Sequence, residues 1–286
     1  MSVNILPIIQ ASELLKLFTS ENLVIIDVSN GKNAYSNYKA KHIKGAIFVD
    51  LNTQLSEIKD DKSIGGRHPL PKIENFAITL SNIGISPKSQ VILYDDKNGS
   101  NAAARFWWML KSIGHEKVQV LNGGIQQAEK YNLPINSRIE ITNKAELYDV
   151  ENWNLPMAEM SEVERVSQVK NHIVIDVRDV KRYNGETDPI DLIAGHIPGA
   201  INVPFTENLD EDGLFLSPTS LKMKYEKIFE NVATENIIVH CGSGVTACHT
   251  LLAIAHAGME IPKLYVGSWS EWSRNHKAIE TNTEYI

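Results

Sequence analysis

The run His240-Cys241-Gly242-Ser243-Gly244-Val245-Thr246-Ala247 places a thiol at the mouth of a glycine-rich turn. Ile237-Ile238-Val239 before it reads as the buried end of a strand, and Val245 through Ala257 has the apolar spacing of a helix. Backbone N–H groups of such a turn point inward and, with the N-terminus of the following helix, form a pocket for negative charge. A free thiol titrates near about 8.5, and a helix N-terminus lowers that by one to several units, so Cys241 is expected as a nucleophilic thiolate. Gly242 and Gly244 pack poorly but let an anion approach the backbone. Cys248, two turns further along an apolar helix, reads as a buried structural thiol. That separation also excludes a Cys241–Cys248 disulfide.

The elements that must position this thiol belong to a chain of 286 residues with 43% hydrophobic content, enough for two cored domains. A net charge of -7 argues against general binding to nucleic acid or anionic membrane, which both need a basic surface. The N-terminal stretch has no basic segment ahead of its apolar residues, and no apolar run approaches membrane-spanning length, so a cytoplasmic protein is expected. Two cysteines give neither a disulfide framework nor a structural zinc site.

Four features recur in the same order in the two halves. Val24-Ile25-Ile26-Asp27-Val28 matches Ile173-Val174-Ile175-Asp176-Val177, and His42-Ile43-Lys44-Gly45-Ala46 matches His196-Ile197-Pro198-Gly199-Ala200. Val91-Ile92-Leu93-Tyr94-Asp95 matches the strand before Cys241, each followed by an apolar helix, and Leu121-Asn122-Gly123-Gly124 matches Tyr265-Val266-Gly267-Ser268-Trp269. A repeat this long is a duplicated domain, because solenoid periods are far shorter. Strands alternating with helical segments predict an α/β fold in which each copy is an open, mainly parallel sheet flanked by helices. The boundaries read as 1–137, a surface linker over 138–157, and 158–286. The loop after Asp95 lacks cysteine and is acidic, so the first copy is expected to be catalytically silent, with the working site in the cleft between copies.

These matched segments, together with Gly66-Arg67-His68-Pro69-Leu70-Pro71, Ala104-Arg105-Phe106-Trp107-Trp108 and Tyr265-Val266-Gly267-Ser268-Trp269-Ser270-Glu271-Trp272, resemble the two-domain rhodanese-type sulfurtransferases over nearly the whole chain. The resemblance implies two tandem rhodanese-like domains. The loop Cys241-Gly242-Ser243-Gly244-Val245-Thr246 resembles that of the 3-mercaptopyruvate sulfurtransferases, whereas thiosulfate-preferring members carry basic residues where Gly242 and Ser243 stand. It implies a Cys241 persulfide, Ser243 as a catalytic partner, and Arg182 as the cation for the donor's carboxylate, with Gly242, Gly244, Val245 and Thr246 lining the donor site. His42 is implied as the histidine partner of Ser243, with Asn33 where an aspartate would complete the set. No metal or organic cofactor is implied. The partners implied are a small-molecule sulfur donor and a thiol acceptor such as a small thiol or a thioredoxin-like protein. One departure stands out: the stretch Asp188-Pro189-Ile190-Asp191-Leu192, where many members have a second substrate arginine, is shortened and has none.

A neutral loop suits a monocarboxylate ketone, whereas thiosulfate, a compact dianion, gains from a fixed cation at the loop. Thiosulfate transfer is therefore the alternative, followed by a non-catalytic persulfide-binding module. A cysteine phosphatase is excluded because Ala247 stands where an arginine would clamp phosphate. Away from the loop, His42 and His196 read as fixing loops through hydrogen bonds. Arg178 reads as a structural ion-pair partner, and Trp107 and Trp108 as core. Trp269 and Trp272 are expected to line the cleft, and His240, last in its strand, to point away from the loop.

Overall fold

The computed structural model describes residues 5–282. The chain forms two compact units. Among the described residues, the first comprises 5–56 with Pro71–Asn154 and Glu211–Phe215; the second comprises Glu57–Leu70, Leu155–Asp210 and 216–282.

The first unit contains β1 (Ile8–Ile9), β2 (Leu23–Asp27), β3 (His42–Ile43), β4 (Ala46–Phe48), β5 (Gln90–Tyr94), β6 (Val118–Leu121) and β7 (Ile135–Asn136). Five of these form a parallel sheet in the order β1-β6-β5-β2-β4, and β3 pairs antiparallel with β7. The second unit contains β8 (Ile173–Asp176), β9 (Ile201–Asn202), β10 (Ile237–His240) and β11 (Lys263–Leu264), parallel in the order β11-β10-β8-β9. The central runs Ile25-Ile26, Val91-Ile92-Leu93, Val174-Ile175 and Ile237-Ile238-Val239 are buried, as strands covered on both faces require.

The duplication extends to single residue pairs. Asp27 lies opposite Tyr94 in the first sheet and Asp176 opposite His240 in the second, so Asp95 and Cys241 occupy equivalent positions one residue beyond the strand. The single parallel bridge Met157–Leu264 stands where β1 pairs with β6, and the antiparallel bridge His196–Glu280 where β3 pairs with β7.

The duplicated histidines do the same work. His42 Nδ1–H donates to Tyr38 O at 2.6 Å while its ring stacks on Tyr38, and Tyr38 Oη donates to Ala46 O. His196 Nδ1–H donates to Tyr183 O at 2.8 Å, stacks on Tyr183, and Tyr183 Oη donates to Ala200 O. Each ties a short helix to the loop that follows it.

Two segments lie elsewhere than a linear division suggests. Residues 57–70 pack with the second unit. The stretch read as a linker packs on the first unit as far as Asn154, and from Leu155 on it belongs to the second: Ala145 N–H donates to Ser81 O, Asn154 N–H to Ser112 O, and Trp153 lies against Phe76 and Trp108. An exposed linker would leave these apolar rings in water.

Candidate active site

Cys241 follows β10 directly, at the strand's C-terminal end, and the helix Thr246–His256 begins five residues later. Its side chain is buried at 1% exposure. The loop is tied to the turn after β11 by backbone pairings. Trp269 N–H donates to Cys241 O at 3.0 Å, Ser270 N–H to Gly242 O at 2.9 Å, and Cys241 N–H to Ser268 Oγ at 3.2 Å. Ser268 has φ +54°, a left-handed conformation uncommon for serine, and its hydroxyl donates to Tyr265 O. Gly244 has φ +72°, and a β-carbon there would lie 2.5 Å from Val266 O. The turn therefore closes against neighbouring backbone only with glycine at 244. Val245 is buried and precedes the first helical residue, Thr246. Cys248 is buried on that helix, and its thiol donates to Gly244 O at 3.3 Å.

The first unit offers an internal control. Asp95, equivalent to Cys241, turns its carboxylate into its own loop: Lys97 and Gly99 N–H donate to Oδ1 at 2.9 and 2.8 Å, Asn101 and Ala103 N–H to Oδ2 at 3.0 and 3.2 Å. Burial raises its pKa, opposed by these four amides. The turn after β5 is thus a cradle for the carboxylate held at the position after the strand. In the first copy a carboxylate fills it; in the second, the residue at that position is a thiol. The Asp95 carboxylate takes up the backbone donors of its own loop, a feature beyond the repulsion expected from acidic residues.

Two guanidiniums face Gly242. A β-carbon on that glycine would lie 3.0 Å from Arg67 Nη2 and 3.2 Å from Arg182 Nη2. Arg182 sits on the short helix Val180–Asn184, started by Asp179, whose carboxylate accepts the Arg182 N–H, and ended by Gly185 at φ +84°. The loop's own side chains are neutral, and two cations face it: Arg182, which the resemblance implies for the donor's carboxylate, and Arg67, which had no role in the sequence reading.

These arginines belong to a larger cluster. Asp191, with a fully buried side chain, accepts from Arg67 Nη1, from Arg182 Nη2 at 3.0 Å and from Arg274 Nη1 at 3.1 Å. Asp188 accepts from Arg182 Nε at 3.1 Å and Arg178 Nη1 at 3.3 Å. Arg178 also grips Asp176 through Nε and Nη2 and lies 4.7 Å over the Trp269 ring. Burial pushes the Asp176 carboxyl up, but the Arg178 guanidinium, by charge and hydrogen bonds, outweighs it and holds it below its ordinary value. The stretch 188–192, which lacks the arginine that the resemblance led us to look for, instead supplies the carboxylates that hold Arg182 and Arg67.

His240 is buried, its Nδ1–H donating to Cys241 O at 3.2 Å. Burial lowers its pKa and keeps it neutral near pH 7, so it serves the loop's backbone.

The histidine beside Ser243 is His68, whose Nδ1 lies 2.8 Å from Ser243 Oγ. This corrects the pairing of Ser243 with His42. His42 is fully buried in the first unit, and its Nδ1 is committed to Tyr38 O with Glu140 3.8 Å from Nε2, which leaves no ring surface for a donor. Asn33, read beside it, stands at the N-terminus of the helix Ala34–Ala40. Trp269 and Trp272 are likewise corrected from cleft-lining to core. Both are buried, their indole N–H groups donating to Ile193 O and Ala278 O. Sequence reasoning assigned no role to Arg67, His68, Asp188, Asp191 or Arg274. The signal nearest to hand was the basic pair directly after Gly65-Gly66.

A family model described as "Rhodanese-like domain" matches residues 10–130 and again 159–275, and the chain belongs to this family. A probable 3-mercaptopyruvate sulfurtransferase of Pseudomonas aeruginosa is 38% identical over 236 residues, 82% of each chain. A thiosulfate sulfurtransferase of Rattus norvegicus is 35% identical over 85% of this chain and 81% of that protein. Among solved structures, the 3-mercaptopyruvate sulfotransferase SseA of Escherichia coli matches with TM-score 0.78 and 32% identity over 93% of this chain and all of that one.

Proposed function

We propose that this chain is a sulfurtransferase that moves sulfur from 3-mercaptopyruvate to a thiol acceptor through a persulfide on Cys241. The observation that carries the reading is a buried thiol directly after β10, on the loop that leads into the helix Thr246–His256, with two guanidiniums facing the neighbouring Gly242. Relatives named for this activity, alike over most of the chain, support it.

In the first half-reaction the Cys241 thiolate attacks the donor's sulfur. A sulfur–sulfur bond forms, the donor's carbon–sulfur bond breaks, and its electron pair leaves as the enolate of pyruvate, which takes up a proton. Arg182 anchors the donor's carboxylate with its planar fork. Ser243, hydrogen-bonded to His68, lies on the cysteine loop, where its hydroxyl can donate to the ketone oxygen as charge develops. In the second half-reaction an acceptor thiolate takes the outer sulfur and returns Cys241 as a thiolate. Splitting the transfer this way predicts ping-pong kinetics. A small thiol or a thioredoxin-like protein in the cytoplasm is the acceptor we propose.

Thiosulfate as donor is the second reading, favoured by the two guanidiniums that face Gly242, since a dianion gains more from fixed cations than a monoanion does. Parallel turnover with both donors, together with intact mass spectrometry, separates the readings. We expect pyruvate release and a gain of one sulfur atom that Cys241→Ser abolishes. A mass gain without steady-state turnover would leave only a persulfide-binding module, and turnover surviving in Cys241→Ser would remove the nucleophile.

A further inference from the structure

We infer that His240 is a positioning residue for Cys241: its Nδ1–H holds the Cys241 carbonyl and thereby orients the peptide bond that joins the nucleophile to Gly242. The inference rests on the reading of Cys241 as the sulfur carrier.

The geometry commits the ring to one task. His240 is fully buried at the end of β10, and its Nδ1 lies 3.2 Å from Cys241 O. A carbonyl oxygen only accepts, so the proton of the neutral ring sits on Nδ1 and Nε2 is bare. Nε2 is buried without a hydrogen-bond partner, and Asp176 Oδ2 lies 3.9 Å from it, beyond hydrogen-bond reach. That carboxylate is already taken by Arg178, which donates to it through its backbone N–H, Nε and Nη2 at 2.6–3.0 Å. The Tyr265 ring lies 6.2 Å from the imidazole, centroid to centroid. Burial, with the charges of Arg178 and His196, outweighs the pull of Asp176 toward a second proton, so the ring stays a neutral donor.

The first unit shows that the sheet does not require this arrangement. Tyr94 occupies the position of His240, opposite Asp27 as His240 is opposite Asp176. Asp95 O accepts Ile125 N–H at 3.2 Å, the counterpart of Trp269 N–H on Cys241 O at 3.0 Å. Tyr94 instead places its hydroxyl against Ile43 N–H, at 3.2 Å. The imidazole donor on the carbonyl thus belongs to the copy that carries the thiol. Two donors on Cys241 O fix the rotation of a planar peptide unit, and because that unit is trans, the Gly242 N–H points the opposite way, away from Trp269 N–H and His240. Hydrogen bonds to a carbonyl also polarise the N–H of the same unit. They further offset the carbonyl's negative end, which lies in the same residue as the thiolate.

Wild-type protein labelled with 15N in its histidine rings tests the geometry directly. At about pH 7.5 we expect His240 protonated on Nδ1 with Nε2 bare, the reverse of the tautomer preferred in water, its signals assigned by their loss in His240→Asn. A ring protonated on Nε2 would overturn the inference, whatever the variants do. Single-turnover pyruvate release from 3-mercaptopyruvate, per folded molecule, reads the role. In His240→Leu we expect the rate at saturating donor to fall about 3- to 10-fold, the scale of one neutral hydrogen bond, with the half-saturating donor concentration held within about 2-fold. His240→Asn should return the rate to within about 2-fold of wild type, because its amide N–H can stand where Nδ1–H does. A wild-type rate in His240→Leu, a loss confined to the half-saturating concentration, or equal losses in the two variants would overturn the inference. Cys241→Ser in the same assay separates the failures. If it releases no pyruvate while His240→Leu keeps the full rate, this inference fails and the reading of Cys241 stands; if Cys241→Ser still releases pyruvate, the reading itself fails.

Discussion

Two glycines of the cysteine loop, two residues apart, should respond to the same substitution in opposite ways. In Gly242→Ala the new methyl would lie 3.0 Å from Arg67 Nη2 and 3.2 Å from Arg182 Nη2, against 3.4–4 Å for ordinary contact, so each guanidinium must retreat by a few tenths of an ångström. Both are ends of flexible side chains, so the fold should absorb the change, with a melting temperature within about 2 °C of the parent. The retreat moves both forks away from the donor. A charge-assisted hydrogen bond is worth about 1.5–3 kcal/mol, and weakening two of them should remove about 1–2 kcal/mol of transition-state binding, or roughly 5- to 30-fold in kcat/KM. In Gly244→Ala the methyl would lie 2.5 Å from a backbone oxygen, Val266 O, at φ +72°. The left-handed conformation alone costs about 1–2 kcal/mol, and the carbonyl cannot swing aside as a side chain can. That variant should lose several degrees of melting temperature, at about 2–4 °C per kcal/mol. Pyruvate release and thermal unfolding measured on both proteins decide the matter. Full kcat/KM in Gly242→Ala would mean that the guanidiniums do not engage the donor, and a wild-type melting temperature in Gly244→Ala would mean that the loop can relax.

His68→Ala should lower kcat at least 10-fold with a small thermal shift, whereas His42→Ala should destabilise the first unit with little change in kcat per folded molecule; the reverse pattern in paired kinetics and melting curves would restore His42 to the site. Asp95→Asn puts an amide where a carboxylate accepts four backbone N–H groups, and an NH2 cannot accept, so we expect about 2–4 kcal/mol of destabilisation in denaturant titration, with sulfur transfer per folded molecule intact. Stability should fall as pH drops below about 6.5. Burial, reinforced by the charge of Lys224, depresses His249 to about 3, so above its ordinary value it is neutral in both states, and between 6.5 and 3 only the unfolded chain gains the proton. The loss is about 1.4 kcal/mol per pH unit for such a group. His115, His240 and His256, also depressed by burial, act in the same direction, and Asp176 adds its own loss as the pH falls through its depressed pKa. Melting temperature measured from pH 8 to 5 should decline, less steeply in His249→Leu; a flat or rising profile would refute this account.

Much of this protein is determined locally. Short β-branched runs ending at Asp27 and Asp176 form parallel strands because such sequences bury both faces, and repeating the pattern forces the same sheet twice. The difference between the copies is equally local, since a carboxylate at 95 and a thiol at 241 stand on equivalent turns. Glycine at 242 and 244 could be singled out by type because their backbone freedom is intrinsic, whereas Arg182 was indicated only by the family resemblance. The partners of these residues could not be singled out. His68 meets Ser243 across 175 positions of sequence, and Arg67 meets Asp191 across 124. His42 drew attention through its place in a repeated motif, but that motif recurs in both copies because it ties helix to loop. An aspartate between guanidiniums and an aspartate on a solvated turn are the same letter. Coulomb energy depends on separation and burial, which exist only once distant segments have packed, so the charge beside Cys241 was decided by the tertiary structure alone.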